Sequence, residues 1–147
     1  MSERPSWIVD EEDIPLVSQY TWYVNIYGKQ LYAVTSTGLL MHRLIMDAKM
    51  CQIIDHINGN GLDNRRENLR ICTHSQNHQN QHNVSGASQY KGVCLSKSGK
   101  KWRAYIYDNG KRIHLGYFFT ERAAARAYDN KAKKLFGEFA KLNLGEK

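Results

Sequence analysis

The chain has 147 residues, of which 41% are hydrophobic and 24% charged, ordinary proportions for one folded domain or two small ones and unlike those of a disordered chain. No apolar run approaches the roughly 18 residues that a membrane span needs, and residues 1–4 open no signal-peptide core, so a cytoplasmic protein with no membrane partner is expected. The net charge of +7 is unevenly divided: residues 1–84 carry seven basic and nine acidic side chains, a net of −2, and residues 85–147 carry fourteen and five, a net of +9. That asymmetry predicts two units, with the basic one facing a polyanion.

Cys51, Cys72 and Cys94 lie about twenty residues apart with no CxxC pair, so neither a structural zinc nor a disulfide framework is expected and all three read as packed or half-buried thiols. Aromatic and β-branched residues dominate 20–34, interrupted at Gly28-Lys29, which predicts a hairpin. Residues 39–48 read as a short helix with Leu40, Leu44 and Met41 turned inward, and His42 as a packing or capping histidine. Ile53-Ile54 is a short buried strand, 58–64 is nearly all turn chemistry, and 69–72 is a second strand. Thr73 with Gln76 forms a capping box for a helix that begins at His74. On it His74 shares a face with Asn77 and Gln81, whereas His78 and His82 share a second, solvated face. Small residues at 84–88 mark the joint, giving units of 1–84 and 89–147 with a linker at 85–88.

Residues with chemical potential concentrate between Ile54 and Asn80. Asp55-His56 precedes the turn-rich loop, Asn68 closes it, and Asn77 follows in the helix, with twelve residues from His56 to Asn68 and nine more to Asn77. Strand, loop, strand and helix in this order resemble the HNH nuclease motif, the ββα-metal fold, and most closely the phage and intron-encoded HNH homing endonucleases. The matching text is Ile54-Asp55-His56-Ile57-Asn58-Gly59-Asn60, then Leu62-Asp63-Asn64-Arg65-Arg66-Glu67-Asn68-Leu69-Arg70, then Thr73-His74-Ser75-Gln76-Asn77. The roles that suit hydrolysis of a phosphodiester agree with the resemblance. His56 titrates near neutrality and suits a general base. Asp55 and Asn77 are hard oxygen ligands for one divalent cation, Mg2+ or alternatively Mn2+. Asn68 would hold the loop or the His56 ring by hydrogen bonds. His74 is a rival ligand, and Arg65 and Arg66 are candidate phosphate contacts. Adjacent residues of a regular strand point to opposite faces, so Asp55 and His56 can share a site only where the strand ends and twists.

The basic unit reads as strands at 90–94 and 102–107, a tight Asn109-Gly110 turn, a third strand at 112–116, and an alanine-rich helix from Thr120 to Gly137. Alternation puts Trp102, Ala104 and Ile106 toward the helix and Arg103, Tyr105 and Tyr107 on the other face. Residues 89–144 resemble the plant ethylene-response-factor (AP-two) DNA-binding domain. The resemblance rests on Tyr90-Lys91-Gly92-Val93, Gly99-Lys100-Lys101-Trp102-Arg103-Ala104, Leu115-Gly116-Tyr117-Phe118 and the run from Thr120 to Asp129. It implies a sheet face that meets DNA, here carrying Lys91, Arg103, Tyr105, Tyr107, Lys111, Arg112 and His114. At several reading positions the side chains differ from the plant pattern, with Cys94, Ser96 and Ser98 along the first strand and turn, so the plant target does not carry over.

The expectation is therefore an α+β chain: an HNH unit followed by a three-stranded antiparallel sheet packed on one helix. The implied function is a homing-type, strand-nicking DNA endonuclease acting on double-stranded DNA as a monomer, with no obligate protein partner, in a bacterial host's cytoplasm if phage-encoded. A DNA-binding regulator with an inactive HNH scaffold is the alternative.

Overall fold

The computed structural model describes residues 6–81, 84 and 86–145. His82, assigned above to a solvated face, and Ser85 of the joint lie outside them. The chain divides into two compact units, residues 1–77 and 78–147. Ser88, which the sequence places in the joint, is buried. Its hydroxyl donates to Glu121 at 2.7 Å, so it is a fixed part of the second unit.

In the first unit a 3-10 turn (Glu11–Asp13) and α1 (Ile14–Val17) precede the hairpin β1 (Tyr23–Tyr27) and β2 (Gln30–Val34). The hairpin is antiparallel, with Tyr23 opposite Val34 and Tyr27 opposite Gln30. Next comes α2 (Met41–Ile45), shorter than 39–48 because Leu40 is extended and Asp47 takes a left-handed φ of 46°. Its buried residues are Met41, His42 and Ile45, whereas Leu40 and Leu44 are half-buried. The Arg43 guanidinium ties down the chain after the helix, donating to the carbonyls of Lys49 and Gln52 at 2.7 Å each and of Ala48 at 3.3 Å. Cys51 in that turn is exposed, not packed as expected, while Cys72 is buried and Cys94 intermediate.

β3 (Ile53–His56) and β4 (Leu69–Cys72) form an antiparallel pair, followed by α3 (His74–Asn80). The capping box at α3 is reciprocal: Thr73 Oγ1 accepts from the Gln76 N–H at 3.2 Å, and Gln76 Oε1 accepts from the Thr73 N–H at 2.8 Å. Val17, Ala33, Met41, Ile45, Ile54, Leu62 and Leu69 make one core, so hairpin, helix and loop all bear on β3.

The second unit is a three-stranded antiparallel sheet, β5 (Val93–Leu95), β6 (Trp102–Asp108) and β7 (Lys111–Phe118), packed against α4 (Glu121–Phe136). Thr120 caps α4, its Oγ1 accepting from the Ala123 N–H at 3.2 Å. Ala104, Ala124, Ala125 and Ala132 are wholly buried, and these small side chains let sheet and helix approach closely around Val93, Ile106 and Tyr128. Among the described residues no helix is long and apolar enough to cross a membrane.

Candidate active site and nucleic-acid interface

β3 runs two residues beyond Ile54, through Asp55 and His56, because Arg70 and Leu69 of β4 pair with them. Both side chains are 5% exposed. The cross-strand pairing sets Arg70 on the Asp55 carboxylate, with Nε and Nη2 donating to Oδ2 at 2.9 and 2.8 Å. A buried carboxylate is tolerable only with such a partner.

His56 is the last residue of its strand. Its Nε2 lies 3.4 Å from Asn64 Oδ1. Asn64 is completely buried, and its Nδ2 donates to the Leu62 carbonyl at 3.2 Å, so the amide presents oxygen to the ring. Oxygen there can only accept, so a hydrogen bond along this contact comes from Nε2–H. The His42 ring stands edge-to-face against His56 with centroids 4.9 Å apart, and the Tyr32 ring lies 5.8 Å from His56 and 5.6 Å from His42. Burial lowers the His56 pKa below the usual histidine value, partly offset by the Asn64 contact and the Asp55 and Asp63 carboxylates. Burial, then His56 and Arg43, takes His42 down to about 3. Burial and then Asp55 push the Tyr32 phenol up, so Tyr32 feels the carboxylate while its ring borders the imidazole. Gly61 makes that approach possible: a Cβ there would collide with the Leu31 carbonyl and the Tyr32 ring.

Asn68 holds the loop, not the His56 ring. Its Oδ1 accepts from the Asn58 N–H at 2.9 Å, and its Nδ2 donates to the Asp63 carbonyl at 2.7 Å and to Asn58 Oδ1 at 3.1 Å. Asn77 is half-buried in α3. Burial and then Asp55 raise the Cys72 thiol, which Arg70 and the Asn77 main-chain N–H pull down, so the thiol stands between the strand carboxylate and α3. Raised in this way, Cys72 stays protonated at neutral pH. The donors offered by Asp55 and Asn77 are carboxylate and carboxamide oxygens, a set that fits Mg2+ or Mn2+. His74 and His78 are exposed.

The structure gives three predicted DNA contacts other partners. Arg65 forks onto Asp63 at 2.9 and 2.8 Å and reaches Glu67 at 2.8 Å. Arg66 forks onto Asp13 at 2.9 and 2.6 Å, while its N–H donates to Asp10 at 2.8 Å. These pairs fasten the residues before α1 to the loop. In the second unit the Lys91 ammonium donates to the Gln79 and Gln81 carbonyls at 2.7 Å each. Burial, then Lys141, lowers its pKa to about 8.

The remaining predicted contacts converge on one sheet face. Cross-strand pairs set Arg103 opposite Tyr117, Tyr105 opposite His114, and Tyr107 opposite Arg112. A bulge between these first two pairs skips Leu115, which packs inward, and so keeps both Tyr117 and His114 outside. The φ of +127° at Gly116 is what the bulge demands of the backbone. Arg103 and Arg112 lie 5.9 and 5.7 Å from the Tyr105 ring centre, Tyr107 meets Tyr105 edge-on at 5.9 Å, and His114 meets Tyr117 at 4.9 Å. Lys111 is exposed at the hairpin end, opposite Asp108. Sequence reasoning gave no place to Tyr117 on this face or to Asn64 and Tyr32 beside His56, and read His42 as a packing or capping histidine. For Tyr117 the signal was present, since only the bulge hid its parity.

A buried histidine next to a buried carboxylate, in one chain with a cationic aromatic sheet, fits a nuclease that carries its own DNA-binding domain. Family models place an HNH endonuclease match at residues 51–79 and an AP2 domain match at 88–138. An uncharacterized HNH endonuclease of Acanthamoeba polyphaga mimivirus is 36% identical over 137 residues, 88% of this chain and 70% of that protein. The AP2-like ethylene-responsive transcription factor TOE2 of Arabidopsis thaliana is 46% identical over 60 residues, 41% of this chain and 12% of that protein. Dehydration-responsive element-binding protein 2D of the same plant is 51% identical over 59 residues, 39% of this chain and 28% of that protein. The chain belongs to the HNH endonuclease family.

Proposed function

We propose that the chain is a homing-type endonuclease that nicks double-stranded DNA by hydrolysing a phosphodiester, with residues 1–84 cutting and residues 89–147 holding the duplex. On this reading it works in the cytoplasm, a bacterial host's if phage-encoded, and as a monomer. The observation that carries it is the burial of His56 beside Asp55 at the end of β3, within the residues that match the HNH endonuclease model.

In this mechanism Nδ1 takes a proton from the attacking water, and Asn64 accepts from Nε2–H throughout. Asp55 and Asn77 would hold one divalent cation, which would relieve charge on the scissile phosphate and the departing 3′ oxygen. Arg70 fixes the Asp55 carboxylate, and Asn68 keeps the loop closed over the strand ends. The sheet supplies phosphate contacts from Arg103, Lys111 and Arg112 and stacking or base-edge contacts from Tyr105, Tyr107, His114 and Tyr117.

The test uses supercoiled plasmid. With Mg2+ the open circle should appear first, and EDTA should abolish it. His56→Ala should slow nicking by about 10²–10⁴-fold, the usual effect of losing a general base, with gel-shift affinity unchanged. Linear DNA as the first product would overturn nicking, and a fully active His56→Ala would remove the base.

A further inference from the structure

Phe119 is 83% exposed, although its chain neighbour Phe118 packs against the core of the second unit around Val93 and Ala104. The alternation that turns Phe118 inward puts Phe119 on the opposite side of the sheet, with Tyr117. The neighbouring strand agrees. Trp102 pairs with Phe118 and Arg103 with Tyr117, so one step further the register sets Lys101 opposite Phe119. Their side chains meet, the Lys101 ammonium lying 4.9 Å from the centre of the Phe119 ring. Lys101 is tied on its other side to Ser96, its N–H donating to Oγ at 3.2 Å and its carbonyl accepting from the Ser96 N–H at 2.8 Å. Phe119 is held along the chain, between the inward-packed Phe118 and Thr120, the cap of α4.

A phenyl ring left in water gains nothing from burial, and an ammonium beside it at so exposed a place contributes little. The pair therefore adds little to stability, but it continues the row of Arg103 and Tyr117 to the end of the sheet face. A phenyl ring has no hydrogen-bonding group, and the one apolar group that base edges present in the major groove is the thymine methyl. We propose that Phe119 is a specificity-determining residue that selects thymine near one end of the DNA target by contact with its 5-methyl group, with Lys101 on an adjacent phosphate. This role rests on the reading of the sheet as the DNA-holding face. Because the ring is already held in place, little freedom is lost when it meets the base.

The experiment uses the full-length protein with EDTA present, so that the duplex stays intact. Duplexes selected from a randomised pool by the wild type are measured by gel shift, each thymine in turn being replaced by deoxyuridine, which lacks only the methyl. One replacement near an end of the selected site should weaken wild-type binding about 3–5-fold, the worth of one buried methyl group. In Phe119→Ser the same replacement should make no difference, whereas Phe119→Leu, still apolar, should keep part of the effect. Lys101→Met should lower the slope of log affinity against log salt by about 0.9, one phosphate contact. Both positions are exposed, so Tm should stay at the wild-type value. A selected site without such a thymine, or a deoxyuridine effect equal in wild type and Phe119→Ser, overturns the proposal, and an unchanged slope in Lys101→Met overturns the phosphate contact. If Arg112→Ala binds these duplexes as tightly as wild type, the sheet is not the DNA face and the underlying reading fails. If Arg112→Ala binds more weakly while the deoxyuridine effect ignores Phe119, the role of Phe119 alone falls.

Discussion

The two units handle arginine in opposite ways. In the first, Arg65, Arg66 and Arg70 turn inward or sideways onto Asp63, Asp13 and Asp55. In the second, Arg103 and Arg112 stand over a tyrosine on an open face. The first arrangement builds a cage of ion pairs that fixes the loop and β3, and the second leaves cationic charge available to a partner. Net charges of −2 and +9 for residues 1–84 and 85–147 say the same in aggregate, but only the contacts reveal that the cage arginines are already engaged.

The comparison breaks most sharply at Arg70. Arg70→Met leaves the buried Asp55 carboxylate without its guanidinium, which typically costs about 3–5 kcal/mol, whereas Arg112→Met on the open face should leave urea stability unchanged. Equal stability of the two variants would erase the distinction. Acid provides the next test. His42, held at about 3 in the folded state, takes up its proton near 6.5 when unfolded. The unfolded chain therefore binds more protons below that point. Stability should be full above pH 6.5 and fall by about 1.4 kcal/mol per unit between 6.5 and 3, the sign expected for a histidine buried neutral. His42→Leu should flatten that decline in urea titrations at pH 4 and 7. The smallest effect sharpens the comparison from the DNA side. Each phosphate contact contributes about 0.9 to the slope of log affinity against log salt. Arg103→Ala and Arg112→Ala should each lower the slope by about that much, and Arg65→Ala and Arg66→Ala should leave it alone. A slope that responds to Arg65 or Arg66 would move the DNA contact onto the loop.

What could be read directly were the features encoded within a few residues. The Gly28-Lys29 turn, the Thr73–Gln76 box, the Thr120 cap and the three strands of the basic unit are each local, and all are present. The order of Asp55, His56, Asn68 and Asn77 was legible as well, because spacing survives without coordinates. Partners distant in the chain were not. Asn64 looks like one more turn residue in a stretch of asparagine and glycine. Its burial follows from the loop folding back on Ile8, whose carbonyl accepts from the Asn64 N–H at 2.8 Å. Tyr32 reads as an ordinary hairpin residue until Gly61 lets it approach. Lys91 counts as surface charge in any tally, yet its ammonium is drawn onto two main-chain carbonyls.

The β7 bulge has a bearing on how such a chain can diversify. Were Leu115 paired instead of skipped, the pairing from Tyr105 onward would slide by one residue. Leu115 and Ile113 would then share the cationic, aromatic face, and His114 would turn toward α4. Substitutions on β7 can alter target preference one side chain at a time, because the backbone irregularity preserves which positions are read. An insertion or deletion in the paired part of β7 would instead swap the cationic, aromatic face for part of the core in a single step. Target preference in this sheet is therefore open to drift by replacement and closed to drift by length.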